Sequence, residues 1–492
     1  MGFLDFARDD GSSKMILLFN TYSRQLEEFA PRDPPNVSMY TCGPTVYSHA
    51  HIGNFRAYIF EDLLQRHLEM RGFKVHRVMN ITDVDDKTIR GAREAKISLN
   101  AFTEPFKRGF FEDLDTLRIK RADEYPGATE PHYLARMIEM IAELIKRDLA
   151  YQAEDKSVYF RINKFPEYGK LAHLNLEELR PTGRVRSDEY EKENIGDFAL
   201  WKAWDEEDGD VGWDSPWGRG RPGWHIECSA MATALLGDQV DIHCGGVDNI
   251  FPHHEAEIAQ SEGVTGKKFV RYWMHCAHLL VDNQKMSKSL GNFYTLRDVI
   301  AKGYSGREVR YALVRVHYRV QLNFTFDGME ESRQALTRID EWLERLREIS
   351  ATDGGASFQL ASQSEKQVGN LPHHDFQSAL DDDLNISGAL GVLFESIRET
   401  NRAMDANELG ATAAKAWLQW WDEINGVLAL DAVETVALSS EIEALAETRR
   451  LARLAKNWQK SDELRSELNA RGWEVRDTKD GQKITRRVGP EP

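Results

Sequence analysis

The stretch VSMYTCGPTVYSHAHIGN, residues 37–54, decides the reading of the fold. It opens with β-branched and aromatic residues, as a strand does, and turns at Gly43-Pro44. From Asn54 to Arg71 the apolar residues Phe55, Tyr58, Ile59, Leu63, Leu64, Leu68 and Met70 recur at helical spacing. Gly72 is a stop signal, and KVHRVMNIT after it reads as a second strand. Strand, loop, helix and strand make a βαβ unit, whose ligand loop lies at the end of the first strand.

Outward from this unit, residues 102–150 look helical, and 151–223 are mixed and rich in Gly, Pro and Trp. VDIHCGG at 240–246 reads as a buried strand closing on a Gly turn. A helix from Pro252 to Glu262 and a short strand at His278–Val281 are expected next. The simplest topology is a nucleotide-binding sheet split by an insertion and then resumed. Beyond about residue 328 the pattern is helical, with one stripe at Leu336, Ile339, Leu343 and Leu346 and another at Leu390, Leu393, Phe394 and Ile397. The polar stretch 350–370 between them reads as a linker. GWEVRDTKDGQKITRR near the end has hairpin character, with Asp480-Gly481 as its turn. The expected fold class is therefore α/β. It comprises a Rossmann-like parallel sheet split by an insertion, then an α-helical bundle and a small mixed α/β module. The expected divisions are 1–36, 37–120, 121–225, 226–295, 296–430 and 431–492.

Length and composition bound the function. A chain of 492 residues exceeds one ordinary domain, and 41% hydrophobic with 29% charged residues is a globular composition. No run approaches the ~18 apolar residues of a membrane span. MGFLDFARDDGSSK resembles neither a secretory signal nor an acid-poor transit peptide. Four Cys are no disulfide framework, so a reducing cytoplasm is the expected setting, without membrane contact. The net charge of -17 disfavours indiscriminate binding to polyanions. Residues 441–492 differ, with twelve Lys/Arg against ten Asp/Glu. That balance fits a solvated helical face or a polyanion partner.

A GxGxxG string at Gly218–Gly223 follows no strand and carries Pro222, so it reads as a tight, well-packed loop rather than a dinucleotide site. Two other strings matter more when taken as a pair: His51-Ile52-Gly53-Asn54 and Lys285-Met286-Ser287-Lys288-Ser289. The first lies where the opening loop meets a helix N-terminus, a natural anion site. The second puts Lys285 and Lys288 in a polar loop fit to neutralise polyphosphate. In this order they resemble the HIGH and KMSKS signatures of class I aminoacyl-tRNA synthetases. Asn54 replaces the last His of HIGH, which leaves an oxygen ligand without charge.

Cys42, Cys228, His253 and Glu257 are candidate metal ligands. His253 and Glu257 are four apart, hence on one face of a helix, and the donor set suits Zn²⁺. Their spacing is scattered, and a buried Cys is equally a small hydrophobe. Cys244, Cys276 and His254 keep that structural reading. CGPTVY, GRPGWHIECSAM, DIHCGGVDNIFPHHEAEIAQSE, YWMH and KMSKSLGN together resemble the cysteinyl-tRNA synthetase family, closely over 16–330 and more loosely to the end.

The resemblance implies one zinc per chain on Cys42, Cys228, His253 and Glu257, taking the substrate thiol. It implies catalytic roles for His51, Lys285 and Lys288. An adenylate pocket would include Gly43, Pro44, Thr45, His51, Asn54, Thr82, Gly246, Val247, Asp248 and Lys288, with Trp224 as a wall of the amino-acid pocket. Arg453, Trp458, Asp462, Arg465 and Asp477 match positions used around the anticodon; Ile484 stands where relatives often carry Trp. The expected partners are tRNA(Cys), L-cysteine and ATP with Mg²⁺, acting on a monomer. A cysteine ligase serving a small amine, as in mycothiol synthesis, would share the zinc site and both signatures. About 160 residues of helices and basic terminal module favour tRNA as the acceptor. A zinc-dependent tRNA-binding regulator would have little use for His51, Lys285 and Lys288.

Overall fold

The computed structural model describes residues 15–174, 184–185, 196–287, 290–351, 371–432, 440–471, 473–478 and 481–486. The chain forms two compact units, Met1–Leu430 and Asp431–Pro492.

The first unit is organised by a four-stranded parallel sheet. Its strands lie in the order Val270–Cys276, Val240–Gly246, Asn36–Thr41, Lys74–Met79. The Ile52–Met70 helix connects the last two, as the βαβ reading requires. Its N-cap is His51, whose Nδ1 accepts from the Asn54 N–H while Asn54 Oδ1 accepts from the His51 N–H. It ends at Arg71, and Gly72 follows at φ +87°, a conformation that glycine adopts without strain.

Side chains alternate across the sheet. Met39, Ile242, Tyr272 and Met274 join a core with Phe55, Ile59 and Leu63 of that helix, whereas Tyr40 and Trp273 join a second core on the other face. Val270–Cys276 forms the edge strand, a finding beyond the sequence reading, in which its YWMH stands as a motif. The expected strand at His278–Val281 forms as Leu279–Val281, but in a separate three-stranded sheet with Gln284–Lys285 and Leu322–Phe324.

The helical reading of 102–150 needs correction. Leu99–Thr116 and Pro131–Lys146 are helices. Between them the chain runs extended beside the sheet, pairing Val78 with Glu124 and Ile81 with Gly127. The insertion builds a small sheet from Ala150–Gln152, Val158–Phe160, Asp197–Ala203, Gly220–Pro222 and the pair Arg184–Val185. The GxGxxG string thus begins in a tight turn at Gly218, as expected, but continues as the strand Gly220–Pro222. A Cβ at Gly220 would stand 2.3 Å from the Lys202 carbonyl oxygen, and one at Gly223 2.1 Å from that of Ala199. Gly220 and Gly223 serve strand packing, whereas Gly218, at φ +116° with nothing within 4 Å, serves the turn before the strand.

Helices Phe326–Ser350, Ile386–Asp405 and Ala411–Leu428 form the helical region. Leu336, Ile339, Leu343 and Leu346 are buried as one stripe, and in the second stripe only Phe394 is partly exposed. The buried Arg310 guanidinium meets Asp62 Oδ2 at 2.5 Å and the carbonyls of Leu117 and Leu428, tying these helices to the Ile52–Met70 helix. The 352–370 part of the expected linker lies outside the described residues.

The second unit comprises helices Ser440–Leu454 and Trp458–Ala470 and an antiparallel hairpin, with Ile442, Leu468 and Val475 as its core. Gly481 pairs with Thr478 and so belongs to the returning strand; Asp480, the other half of the expected turn, lies outside the described residues.

Candidate active site and metal centre

At the ends of the central strands the chain folds tightly. A Cβ at Gly43 would stand 1.7 Å from the Asn80 carbonyl oxygen, so only glycine lets these backbones meet. The Gly43 N–H donates to Asn80 Oδ1 (2.9 Å), and the Thr82 N–H to the Pro44 carbonyl (3.1 Å). Thr45 pairs with Thr82, whose hydroxyl donates to Glu227 Oε2 at 2.9 Å. Residues from two separate motifs therefore line one loop junction.

The two signature strings meet beside it. A Cβ on Gly53 would lie 2.9 Å from Met286 Cε and 2.9 Å from the His51 ring, so glycine admits both. The Ile52 N–H donates to the Tyr294 carbonyl (3.0 Å), and His51 pairs with Thr295. Because His51 Nδ1 accepts from Asn54, the proton of its neutral imidazole sits on Nε2. Asn54 is thus engaged in capping the helix. Lys285 is exposed at the end of its strand, and its carbonyl accepts from Asn292 Nδ2 (3.2 Å). Lys288 lies outside the described residues.

Cys42, Cys228, His253 and Glu257 converge, with one donor atom from each within 4.8 Å of the others. Cys42 follows the Asn36–Thr41 strand, Cys228 sits in the Trp224–Leu236 helix, and Glu257 in the first turn of Glu255–Thr265. His253 Nε2 stands 3.3 Å from Cys228 Sγ and 3.1 Å from Glu257 Oε1. Cys42 Sγ is 4.0 Å from the same carboxylate oxygen. Burial pushes both thiols up, and burial holds His253 down at about 3, a neutral imidazole with a lone pair to offer. Two thiols and a carboxylate gathered out of water are costly in ionised form unless a cation balances them. Sulfur, nitrogen and oxygen donors at this spacing fit zinc.

Three histidines pack against this cluster, a proximity that spacing alone does not reveal. His254, read as structural, lies with Nε2 3.2 Å from Cys42 Sγ, and its Nδ1 meets His275 Nε2 at 2.8 Å. His243 Nε2 meets Glu257 Oε2 at 2.9 Å. Cys42, His243, His254 and Glu257 therefore form a second donor group sharing two members with the first. The available signal was the dense IHC and PHHE clustering of His beside candidate ligands. Cys244 and Cys276 stay buried, the latter pushed up to about 12 by burial.

Trp224 stacks on His253 at 4.2 Å between ring centroids, which places it against the donor cluster. The Val247 N–H donates to the Cys276 carbonyl (3.0 Å) just beyond the strand end, and Gly246 closes on Asp248, whose Oδ1 would lie 2.3 Å from an added Cβ.

Residues 28–334 match the family described as tRNA synthetases class I (C) catalytic domain; 375–430 match the DALR domain, and 435–484 the cysteinyl-tRNA ligase anticodon binding domain. The cysteine–tRNA ligase of Chlamydia muridarum is 49% identical over 95% of this chain and 99% of its own length. The chain belongs to the cysteine–tRNA ligase family. Other members are as similar: the cysteine–tRNA ligase of Protochlamydia amoebophila is 50% identical over 95% of this chain and 97% of its own. Among solved structures, a Mycobacterium tuberculosis methionyl-tRNA synthetase bound to methionyl-adenylate aligns with a TM-score of 0.60 at 14% identity, over 80% of this chain and 92% of its own. An Agrobacterium radiobacter LeuRS in a ternary complex aligns at 0.55 and 12%, over 83% and 86%. These likenesses show the class I fold of this cysteine–tRNA ligase family member.

In the second unit Trp458 is 56% exposed, with the Arg453 guanidinium over its ring at 5.4 Å. Asp462 is exposed, while Arg465 Nη2 donates to the Val475 carbonyl (3.3 Å) and so braces helix against hairpin. The side chains of Asp477 and Ile484 lie outside the described residues. No described helix is long and apolar enough to cross a membrane.

Proposed function

We propose that this chain ligates L-cysteine to tRNA(Cys) at the expense of ATP, through a cysteinyl-adenylate. The observation that carries the reading is the convergence of Cys42, Cys228, His253 and Glu257 beside the loop that leads to His51. The family membership supports it, and so does the terminal match to an anticodon-binding domain, which a small acceptor would not need.

In the first step an oxygen of the cysteine carboxylate bonds to the α-phosphorus of ATP. The bond from that phosphorus to the bridging oxygen breaks, and Mg-bound pyrophosphate leaves with the electron pair. No protein nucleophile is needed; positioning and charge stabilisation suffice. His51 donates from Nε2 to a phosphate oxygen, and Lys285 and Lys288 balance the charge on the leaving pyrophosphate. Gly43, Pro44, Thr45, Asn54 and Thr82 on one side and Gly246, Val247 and Asp248 on the other bound the adenylate pocket. In the second step a ribose hydroxyl of the terminal tRNA adenosine takes the aminoacyl group and AMP leaves.

Cys42, Cys228, His253 and Glu257 would hold a zinc ion, which when bound prefers a substrate thiol over a hydroxyl and lowers the thiol pKa. A pocket that measured shape alone would separate cysteine from serine poorly. Trp224, stacked on His253, fixes the ligand ring and walls the pocket. His243 orients the Glu257 carboxylate through its second oxygen. Trp458, Arg453 and Asp462 are the terminal residues placed to meet unpaired anticodon bases, and Asp477 shares that assignment. Arg465, exposed on the same helix as Trp458, shares it too while one of its guanidinium nitrogens braces the hairpin. The protein acts as a monomer in the cytoplasm in this reading.

Pyrophosphate exchange with cysteine, with serine and without amino acid, followed by charging of tRNA(Cys), tests the proposal. Exchange that ignores cysteine would overturn it. Exchange without tRNA charging, with transfer to a small amine instead, would favour the small-acceptor ligase.

A further inference from the structure

Arg297 lies outside both signature strings, yet it closes a contact around them. It sits in the first turn of the Leu296–Ala301 helix, just beyond the segment that follows Lys285-Met286-Ser287. Its Nη1 donates to both carboxylate oxygens of Asp113 (2.7 and 2.6 Å), and its Nη2 to Glu112 Oε2 (2.9 Å) and the Gly109 carbonyl (3.3 Å). Asp113 is 3% exposed, so the clamp has a buried end, while the Arg297 side chain is 36% and that of Glu112 61% exposed.

The clamp leads directly to His51. Thr295 caps the Arg297 helix through a reciprocal pair with Asp298, which makes the first turn rigid. Thr295 also pairs with His51, Tyr294 accepts from the Ile52 N–H, and the Phe293 ring packs edge-on against the His51 ring at 5.1 Å. Gly109 permits the closure: a Cβ there would stand 2.7 Å from His49 Cε1 and 3.2 Å from Arg297 Nη2.

We propose that Arg297 is a positioning residue for adenylate formation: by clamping its helix turn to Asp113 and Glu112, it holds Phe293–Thr295 against His51. It touches no substrate and acts through that three-residue strap. The inference rests on the reading above that His51 meets the ATP polyphosphate. The clamp also carries a pH signature. Burial raises the Asp113 carboxyl to about 6, against the pull of Arg297 and with a further push from Glu112. The groups facing it are Arg297 from the Leu296–Ala301 helix, Glu112 from its own, and His49 from the segment before His51, close to the guanidinium. The clamp needs an ionised Asp113, so it strengthens as pH rises through about 6 and weakens as pH falls through that value.

The test uses the full-length protein, with cysteine-dependent pyrophosphate exchange and active-site titration by single-turnover adenylate formation. Arg297→Ala should lower kcat by up to about 10²-fold, the scale of a roughly 1 Å misplacement, with KM for cysteine unchanged and the titratable active fraction unchanged. Arg297→Lys, which can still pair with Asp113 but cannot reach Glu112 and Gly109 as well, should restore part of the rate. Asp113→Asn should have a low rate that lacks the wild-type decline below about pH 6. A folded Arg297→Ala enzyme with wild-type kcat would overturn the proposal. So would a loss confined to the active fraction, which marks a merely structural role, or an acid limb that survives Asp113→Asn and thus belongs to His49. If the wild-type protein itself shows no cysteine-dependent exchange, the functional reading has failed instead.

Discussion

Met286 packs directly over Gly53, within reach of the His51 ring, so the two signature strings touch although the insertion and three strands of the central sheet separate them in the chain. The contact depends on a missing side chain. Gly53→Ala should therefore push Met286 and the His51 ring apart while improving helix propensity by about 1 kcal/mol. The expected outcome is unchanged or higher thermal stability with exchange kcat lowered on the order of tenfold. Adding Met286→Ala should recover part of the rate; strict additivity in that double-mutant cycle would contradict a direct contact.

The metal centre makes a stoichiometric claim. Purified protein should contain one zinc per chain by metal analysis. Cys228→Ala and Glu257→Gln should each lose most of it, because each removes one of four converging donors. Discrimination of cysteine against serine in pyrophosphate exchange should fall together with the metal content. Full zinc retention and unchanged selectivity in Cys228→Ala would refute the ligand assignment.

Lys285 and Lys288 should act on the leaving pyrophosphate more than on cysteine. Alanine at either position is expected to lower exchange kcat by about 10²-fold, the usual scale for one lost stabilising donor, with little change in KM for cysteine. A raised KM at constant kcat would place both residues in ground-state binding.

The Glu61 carboxyl is wholly buried on the sheet side of the Ile52–Met70 helix, and burial pushes it up to about 8 against the pull of Arg77. In the unfolded chain it titrates near 4.5. Its contribution to stability is thus fully present below about 4.5 and is lost as pH rises through about 8. Glu61→Gln keeps the shape and removes the ionisation. Urea unfolding at a series of pH values should show the variant gaining on the parent between those limits; a constant difference would mean that Glu61 does not titrate in the folded state.

Trp458 is exposed beside Arg453, so its replacement should spare folding. Trp458→Ala is expected to weaken tRNA(Cys) binding by about 1–3 kcal/mol, the worth of one stacked base, and to leave pyrophosphate exchange intact. Equal charging parameters for parent and variant would reduce Trp458 to a solvated aromatic residue.

The sequence by itself determined what local chemistry encodes. Apolar periodicity from Phe55 to Leu68, the Gly72 stop and the β-branched run before Gly43 specify the βαβ unit, because helix and strand periods are properties of neighbouring residues. The types of the four zinc candidates and the i, i+4 relation of His253 to Glu257 were legible for the same reason. Tertiary structure alone decided which distant groups meet. The extended path of 119–127 beside Lys74–Met79 is set by backbone pairing with the sheet, not by local preference. His243, His254 and His275 join the cluster around Cys42 and Glu257 because parallel strands and one helix entry bring them to the same end of the sheet. Arg297 found Asp113 only once the helix after the second signature docked against Leu99–Thr116. A side chain's type can be read from its letter, but its partner across the fold is fixed by packing, which no local pattern contains.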